Sequence, residues 1–170
     1  YWSFSLTMLT FSLPNEAAMQ SFAQVFASGL QAGMILFFQG EIGAGKTTFI
    51  RAMLRSFGIK GSIKSPTFSL VEPYEITLPN SHKLTEFYHF DFYRCSALRE
   101  WRDAGFAEYF NNSSICAVEW PEKQAGLPFA DWTLQLQTAE NGRTLILTAH
   151  SDIARTWLTA AHDTLKTAAA

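Results

Sequence analysis

The sequence has few cysteines, little charge imbalance and no long apolar run. Its 170 residues include two cysteines, 13 lysines and arginines, and 15 aspartates and glutamates, which give a formal net charge of −2. This near-neutral charge argues against a broad phosphate-binding surface, and therefore against tight nucleic-acid binding by this chain alone. No apolar run approaches the roughly 18 residues that a membrane-spanning helix needs, so we expect no membrane association.

The two cysteines do not have the spacing of a metal site. Cys116 lies in the apolar run Ile115–Val118, where a thiol usually acts as a small core hydrophobe. We therefore expect Cys95 and Cys116 to be free thiols in a reducing compartment. Because Tyr1–Thr7 lacks the basic flank of a secretory signal, the sequence predicts a cytoplasmic protein, and we interpret residues 1–7 as a non-native or mis-assigned start before Met8.

The spacing of apolar residues predicts one α/β domain over residues 1–170. Predicted strands cover Met8–Leu13, Met34–Phe38 and Ser114–Glu119. Predicted helices begin after Asn15 and after Gly45, and a last helix covers Ile153–Leu165. A broken helical stretch is predicted at Leu98–Phe110 and a frayed tail at residues 166–170. Two antiparallel hairpins are also predicted, from residues 67–76 with 84–93 and from residues 132–136 with 144–147 across Asn141-Gly142. These elements indicate a mixed central sheet flanked by helices, with antiparallel hairpin additions.

The segment Gly40-Glu41-Ile42-Gly43-Ala44-Gly45-Lys46-Thr47 has the spacing of a phosphate-binding P-loop. A buried strand precedes it and an amphipathic helix follows it, so the fold class is a three-layer P-loop NTPase-like fold. Its glycines allow successive N–H groups to point at phosphate oxygens, and the helix N-terminus adds partial positive charge. Lys46 is expected to reach the β- and γ-phosphates and to neutralise charge during catalysis, and the Thr47 hydroxyl to bind Mg²⁺.

The expected nucleotide is ATP, with ADP as its product. A guanine-binding Asn-Lys-x-Asp segment does not occur in the sequence, and the glycine spacing differs from the dinucleotide fingerprint of NAD and FAD proteins. The residues of the loop region predicted to contact the nucleotide are Glu41, Ile42, Gly43, Ala44, Gly45, Lys46, Thr47 and Thr48.

Two acidic residues at strand ends are candidates for the metal and for catalysis. Glu119 ends a run of four apolar residues, and Asp91 ends a more aromatic run. Either carboxylate could bind Mg²⁺ through water while the other orients the attacking water. Thr67 is either a sensor of the γ-phosphate or part of a plain turn. His89 is interpreted as a satisfied strand histidine.

Two further side chains have more than one interpretation. Trp120, beside Glu119, is either a core residue or a lid against the nucleotide. Arg143 can reach phosphate or base, although exposed arginines more often only solvate a surface.

Five ordered segments resemble one family. They are Gly-Glu-Ile-Gly-Ala-Gly-Lys-Thr-Thr (40–48), Lys-Ser-Pro-Thr-Phe (64–68), Val-Glu-Pro-Tyr (71–74), His-Phe-Asp-Phe-Tyr-Arg (89–94) and Val-Glu-Trp-Pro (118–121). The chain thus resembles the bacterial TsaE family, also called YjeE, over about residues 8–148. The resemblance implies a weak ATPase that acts with TsaB and TsaD in tRNA threonylcarbamoyladenosine synthesis. TsaD would modify adenosine 37, and this chain would meet tRNA only through the complex.

The resemblance also implies roles for individual residues. Lys46 and Thr47 correspond to the phosphate and metal residues of the P-loop, Glu119 to the Walker B-type metal acid, and Asp91 to a second acid. The base pocket of the family would draw here on Asn15, Glu16 and Arg143.

Two alternatives stay open at this point. One is a small-molecule kinase, which would need an acceptor pocket and an arginine-bearing lid. The other is a nucleotide-gated assembly module whose hydrolysis is incidental, because the same residues would serve both roles.

Overall fold

The computed structural model describes residues 5–170, which form a seven-stranded sheet with helices on both faces. Residues 1–4, part of the expected non-native start, lie outside the described residues. In chain order the strands and helices are β1 (Met8–Leu13), α1 (Glu16–Ala27), β2 (Ile35–Gln39), α2 (Lys46–Ser56), β3 (Val71–Thr77), β4 (Leu84–Asp91), α3 (Glu100–Asp103), β5 (Ser114–Glu119), β6 (Trp132–Thr138), β7 (Arg143–Ala149) and α4 (Asp152–Ala169). Short 3₁₀ turns follow α3 at Phe106–Tyr109 and β5 at Pro121–Lys123.

The sheet has the strand order β1-β7-β6-β2-β5-β4-β3. Strand β2 is parallel to β5 and to β6, and β4 is parallel to β5. The pairs β1–β7, β3–β4 and β6–β7 are antiparallel. The predicted mixed sheet with antiparallel hairpin additions is therefore confirmed. The first hairpin begins later than predicted, since Thr67 lies in a turn and β3 starts at Val71.

The sheet is the middle of three layers. Helices α1, α2 and α4 cover one face, where Phe26 of α1 packs edge-to-face on Trp132 of β6 and Trp157 of α4, with ring centroids 5.1 and 6.0 Å apart. The other face is covered by α3 and the Phe106–Tyr109 turn, which pack on Phe90 of β4 and its neighbours. Edge-to-face aromatic contacts add to the free energy gained by burying the rings.

The helix ends follow their sequence signals in part. The side chain of Asn15 accepts a hydrogen bond from the Ala18 amide at 2.8 Å, as an N-cap residue does. The prediction of a frayed tail at residues 166–170 was wrong, because α4 continues through Ala169. Leu165 and Ala169, one turn apart, are both buried in the core, and this packing holds the last turn.

Within residues 5–170 no helix is long and apolar enough to cross a membrane.

Parallel pairing collects three strand ends at one edge of the sheet. Phe38 near the end of β2 and Asp91 at the end of β4 both pair with Glu119 at the end of β5. Helix α2 begins at the same edge, after the loop that follows β2. Carboxyl ends of parallel strands are where open α/β sheets place their ligands, so this edge is the expected position of a ligand site.

Candidate functional site

The Gly40–Thr47 loop joins β2 to α2 and depends on its glycines. Gly40 has φ of 142°, and a Cβ there would lie 2.4 Å from the carbonyl oxygen of Leu136 on β6. Gly45 has φ of 108° and would place a Cβ 3.0 Å from the Met19 side chain. A side chain at Gly40 would collide with backbone that cannot move aside. The loop conformation thus requires glycine at this position, as the sequence pattern predicts.

Lys46 is a buried cation at the first position of α2. Its side chain is 5% exposed, and its Nζ donates to the carbonyl oxygens of Gly40 and of Glu41, the latter at 3.0 Å. The same Nζ lies 4.1 Å from the centre of the Trp120 ring. Burial lowers the pKa of Lys46, and the negative charge of Glu119 is the largest effect opposing that shift. The ammonium is therefore positioned beside the loop, with Trp120 covering it.

Glu119 links the start of α2 to the neighbouring strand β4. Glu119 is 2% exposed, and Thr47 Oγ1 lies 2.9 Å from both of its carboxylate oxygens. His89 Nε2 lies 2.6 Å from Glu119 Oε2. His89 lies in a strand, as interpreted, but only one of its ring nitrogens is satisfied, because His89 Nδ1 has no hydrogen-bond partner among the described residues. The alternation of β4 puts His89 and Asp91 on the same face, but it does not identify the contact with Glu119.

Asp91 holds the segment that precedes β3. Its Oδ2 accepts a hydrogen bond from the Ser65 hydroxyl at 2.5 Å, and its Oδ1 accepts one from the Tyr93 amide at 3.0 Å. The Thr67 hydroxyl in turn lies 3.4 Å from the Ser65 oxygen. Sequence reasoning identified this segment and Thr67, but it did not assign Ser65 a role of its own. The contacts connect Thr67 to the end of β4 through Ser65.

A cleft of about 400 Å³ joins these side chains. It is lined by Lys46, Thr47 and Thr48, by Thr67, Asp91, Tyr93, Glu119 and Trp120, and by Ile42, Gly43, Gly45 and Arg143. Trp120 faces this cleft and the Lys46 ammonium, and it also packs, partly buried, against the core on the α3 side of the sheet. Ile42 at the rim is 70% exposed.

A smaller cleft of about 160 Å³ adjoins the first one. Asn15, Glu16, Thr48 and Arg143 are among its lining residues, and Gly45 also borders both clefts. The structure therefore brings together the three residues that the family resemblance assigned to a base pocket. A larger groove of about 520 Å³ lies between α1 and α2 and shares Glu16 and Thr48 with the smaller cleft.

Arg143 contacts the Gly40–Thr47 loop directly. Its Nε donates to the Ala44 carbonyl at 3.0 Å, its Nη2 to the Gly43 carbonyl at 3.1 Å, and its Nη1 to the Gly142 carbonyl at 2.9 Å. Sequence reasoning considered phosphate, base or solvent as partners of this side chain. The guanidinium instead braces the loop from the side of β7, while it lines both clefts.

The oxygen atoms of the cleft suit a magnesium ion that also binds phosphate. A hydroxyl from Thr47 and the carboxylates of Glu119 and Asp91 line one wall. Among residues 5–170, no group of three or more His, Cys, Asp or Glu side chains forms a metal cage. Mg²⁺ prefers oxygen ligands, and it commonly takes one or two carboxylates together with substrate phosphates and water. The residues present thus fit Mg²⁺ with a bound phosphate better than a metal held by protein alone.

Comparison with known proteins gives concordant matches. A family model described as "Threonylcarbamoyl adenosine biosynthesis protein TsaE" matches residues 13–145. The tRNA threonylcarbamoyladenosine biosynthesis protein TsaE of Haemophilus influenzae is 37% identical over 158 residues, which are 89% of this chain and 96% of that protein. The protein of the same name from Treponema pallidum is 33% identical over 121 residues, 71% of this chain and 84% of the relative. The crystal structure of Bacillus subtilis YdiB covers 95% of this chain and 99% of its own, with TM-score 0.69 and 26% identity.

Proposed function

The chain belongs to the TsaE family of tRNA threonylcarbamoyladenosine biosynthesis proteins, and we propose that it serves this process as a magnesium-dependent ATPase. The observation that carries the proposal is the contact between the Thr47 hydroxyl and the Glu119 carboxylate, beside the buried Lys46. A P-loop NTPase pairs a hydroxyl at the helix start with an acid from a neighbouring strand in this way.

The loop and Lys46 would bind the phosphates. The amides at the N-terminus of α2 carry the positive end of the helix dipole, which favours an anion at this place. Lys46 would exchange its bonds to the loop carbonyls for bonds to phosphate oxygens. Asn15, Glu16 and Arg143 border the smaller cleft, where the proposal puts the adenosine portion of ATP.

Thr47 and Glu119 would hold the magnesium ion, which would neutralise charge on the phosphate oxygens. The single hydroxyl proton of Thr47 points to Glu119, so the lone pairs of the Thr47 oxygen stay available to a cation. Asp91, whose oxygens already bond Ser65 and the Tyr93 amide, is assigned to the ordering of the 65–67 segment and of the attacking water. This division favours Glu119 as the acid nearer the metal.

Slow turnover by the isolated chain follows from the same contacts. The guanidinium of Arg143 bonds loop carbonyls, so it cannot meet the reacting phosphate without rearrangement. We therefore expect faster ATP hydrolysis in the complex with TsaB and TsaD in the cytoplasm. The tRNA would contact the chain only through that complex, which agrees with its net charge of −2.

Nucleotide binding can be tested by calorimetry with purified protein. We expect ATP with Mg²⁺ to bind in preference to GTP, and Lys46→Ala to weaken ATP binding by at least about tenfold, because a hydrogen bond to a charged group contributes about 1.5–3 kcal/mol. Lys123→Ala is the matched control and should stay within about twofold, because it removes a lysine outside the loop. Equal ATP affinity of Lys46→Ala and wild type would contradict the proposal.

The role of hydrolysis is tested with the partner proteins. In a reconstituted reaction with TsaB, TsaD, ATP and tRNA, Glu119→Gln should bind ATP and the partners but fail to support repeated modification. Glu122→Gln removes an exposed carboxylate three residues further on and should behave as wild type. Full turnover by Glu119→Gln would favour the assembly module, for which binding alone suffices.

A further inference from the structure

The buried carboxylate of Glu119 has two side-chain donors within the described part of the chain. Thr47 offers one hydroxyl, whose oxygen lies 2.9 Å from both carboxylate oxygens, and His89 reaches Oε2 alone. Glu119 is 2% exposed, and a buried carboxylate needs such donors because burial without them is costly. His89 is thus one of two groups that compensate the burial of Glu119.

The imidazole ring of His89 donates an N–H hydrogen to Glu119. A carboxylate only accepts, so the hydrogen must sit on His89 Nε2, which lies 2.6 Å from Glu119 Oε2. The other ring nitrogen, Nδ1, is buried and has no partner among the described residues. A histidine that served only the stability of the sheet gains nothing from an unpaired buried nitrogen, and such groups call for a functional explanation.

The two oxygens of Glu119 therefore differ in their surroundings. Oε2 has two neighbours, Thr47 and His89, whereas Oε1 has Thr47 alone. The bond from His89 resists rotation of the carboxylate and leaves Oε1 as the oxygen with free lone pairs. A partial rotation of the carboxylate would lengthen the bond to His89 and break the symmetric approach to Thr47.

We propose that His89 is a positioning residue, which orients Glu119 so that Oε1 and the Thr47 hydroxyl face the magnesium ion. The inference rests on the proposed function, because the orientation of Glu119 has an effect only when the site binds a metal together with a nucleotide. Outer groups that hydrogen-bond a metal ligand typically change metal affinity by about 10–100-fold when they are removed.

Three substitutions of His89 separate positioning from stability. His89→Gln keeps an N–H donor at a reach similar to that of Nε2, whereas the shorter His89→Asn cannot reach Glu119. His89→Leu removes the donor and keeps an apolar side chain in the core. Thr85→Val is the matched control, because Thr85 is a buried polar residue of the same strand that bonds the Lys83 carbonyl.

The readouts are the Mg²⁺ concentration for half-maximal ATP binding by calorimetry, the ATP affinity in EDTA, and the melting temperature. For His89→Leu and His89→Asn we expect the half-maximal Mg²⁺ concentration to rise about 10–100-fold, with little change of ATP affinity in EDTA. His89→Gln should recover most of this loss, and Thr85→Val should match wild type. If His89→Leu fails to fold, the comparison of His89→Gln with His89→Asn decides between positioning and stability.

Equal Mg²⁺ dependence of the Gln and Asn variants would overturn the role of His89 and leave the proposed function intact. A wild-type protein that binds ATP equally well with and without Mg²⁺, or not at all, would instead contradict the proposed function itself.

Discussion

Thr47 Oγ1 lies 2.9 Å from each carboxylate oxygen of Glu119, although the two residues are 72 positions apart in the sequence. The contact joins the first turn of α2 to the end of β5. It exists because β5 runs parallel to β2, so that both strands end at the same edge of the sheet. A buried acid and a hydroxyl are thereby fixed beside the loop that precedes α2.

Thr47→Ala should reduce magnesium-dependent ATP hydrolysis, because it removes both the proposed metal-binding hydroxyl and a donor to Glu119. Loss of a hydrogen bond to a charged group costs about 1.5–3 kcal/mol, which corresponds to a decrease of about 10–100-fold. Thr47→Ser keeps the hydroxyl and should retain most activity. Steady-state phosphate release at varied Mg²⁺ measures both, and equal activity of the Ala and Ser variants would refute the role of the hydroxyl.

Much of the fold could be predicted from local patterns. The all-apolar run before the Gly40–Thr47 loop and the run at Ser114–Glu119 predict buried parallel strands, which the structure has. Asn141-Gly142 predicts the β6–β7 hairpin, because these residues accept the backbone conformation of a tight turn. Each of these signals lies within a few residues, so that one sequence suffices to detect it.

The contacts around the candidate site could not be predicted in the same way. The bonds from His89 to Glu119 and from Ser65 to Asp91 join segments 30 and 26 residues apart, and they depend on strand order and register. Neither is encoded in a local pattern. The end of α4 was missed for a related reason, since burial of Ala169 by distant residues outweighs the tendency of a terminal turn to fray.

Ser65→Ala should loosen the segment that carries Thr67. The Ser65 hydroxyl donates to the buried carboxylate of Asp91, and a bond of this kind contributes about 1.5–3 kcal/mol. Hydrogen exchange of amides in residues 64–69 should therefore become at least about tenfold faster. Ser69→Ala is the control, because that exposed hydroxyl bonds only the Val71 carbonyl. Identical exchange in both variants would show that the Asp91 contact does not order the segment.

Both cysteine thiols should react slowly with thiol reagents in the folded protein. Both are free and buried, and burial, assisted at Cys95 by the hydrogen bond to Glu100, raises the pKa of each to about 12. At pH 8 a thiol of that pKa is only about 0.01% thiolate, which is the reactive form. Ellman's reagent should thus find no fast thiol at pH 8, and two after unfolding. A fast thiol in the folded state would contradict this burial.

The same pKa shifts predict how stability depends on alkaline pH. Because the folded-state pKa lies above the ordinary value of 9.0, the folded protein holds these protons more tightly than the unfolded chain. The stabilisation is complete below about pH 9 and is lost as the pH rises towards 12. Urea unfolding at several pH values should show a decrease over this range, and Cys116→Ala should make the decrease smaller. An unchanged slope in Cys116→Ala would exclude that thiol as its source.

Gly142→Ala should destabilise the protein strongly, because the β6–β7 turn lies against the end of β1. Gly142 has φ of 81°, and a Cβ there would lie 2.0 Å from the Leu13 carbonyl oxygen and 2.6 Å from the Pro14 carbonyl carbon. Left-handed backbone costs a residue with a side chain about 1–2 kcal/mol, and overpacking adds about 1–3 kcal/mol. The two costs add at Gly142, because the colliding atoms belong to the backbone and cannot turn away.

Gly61→Ala separates the two costs. Gly61 has a similar φ of 87°, but nothing lies within 4 Å of the Cβ that would be added. Urea unfolding should therefore show a decrease of only about 1–2 kcal/mol in the free energy of unfolding of Gly61→Ala. The decrease in Gly142→Ala should be greater. Because Arg143 follows Gly142 and bonds two carbonyls of the Gly40–Thr47 loop, Gly142→Ala should also weaken ATP binding while Gly61→Ala does not. Equal losses of stability in the two variants would mean that the turn moves away from β1 at no cost.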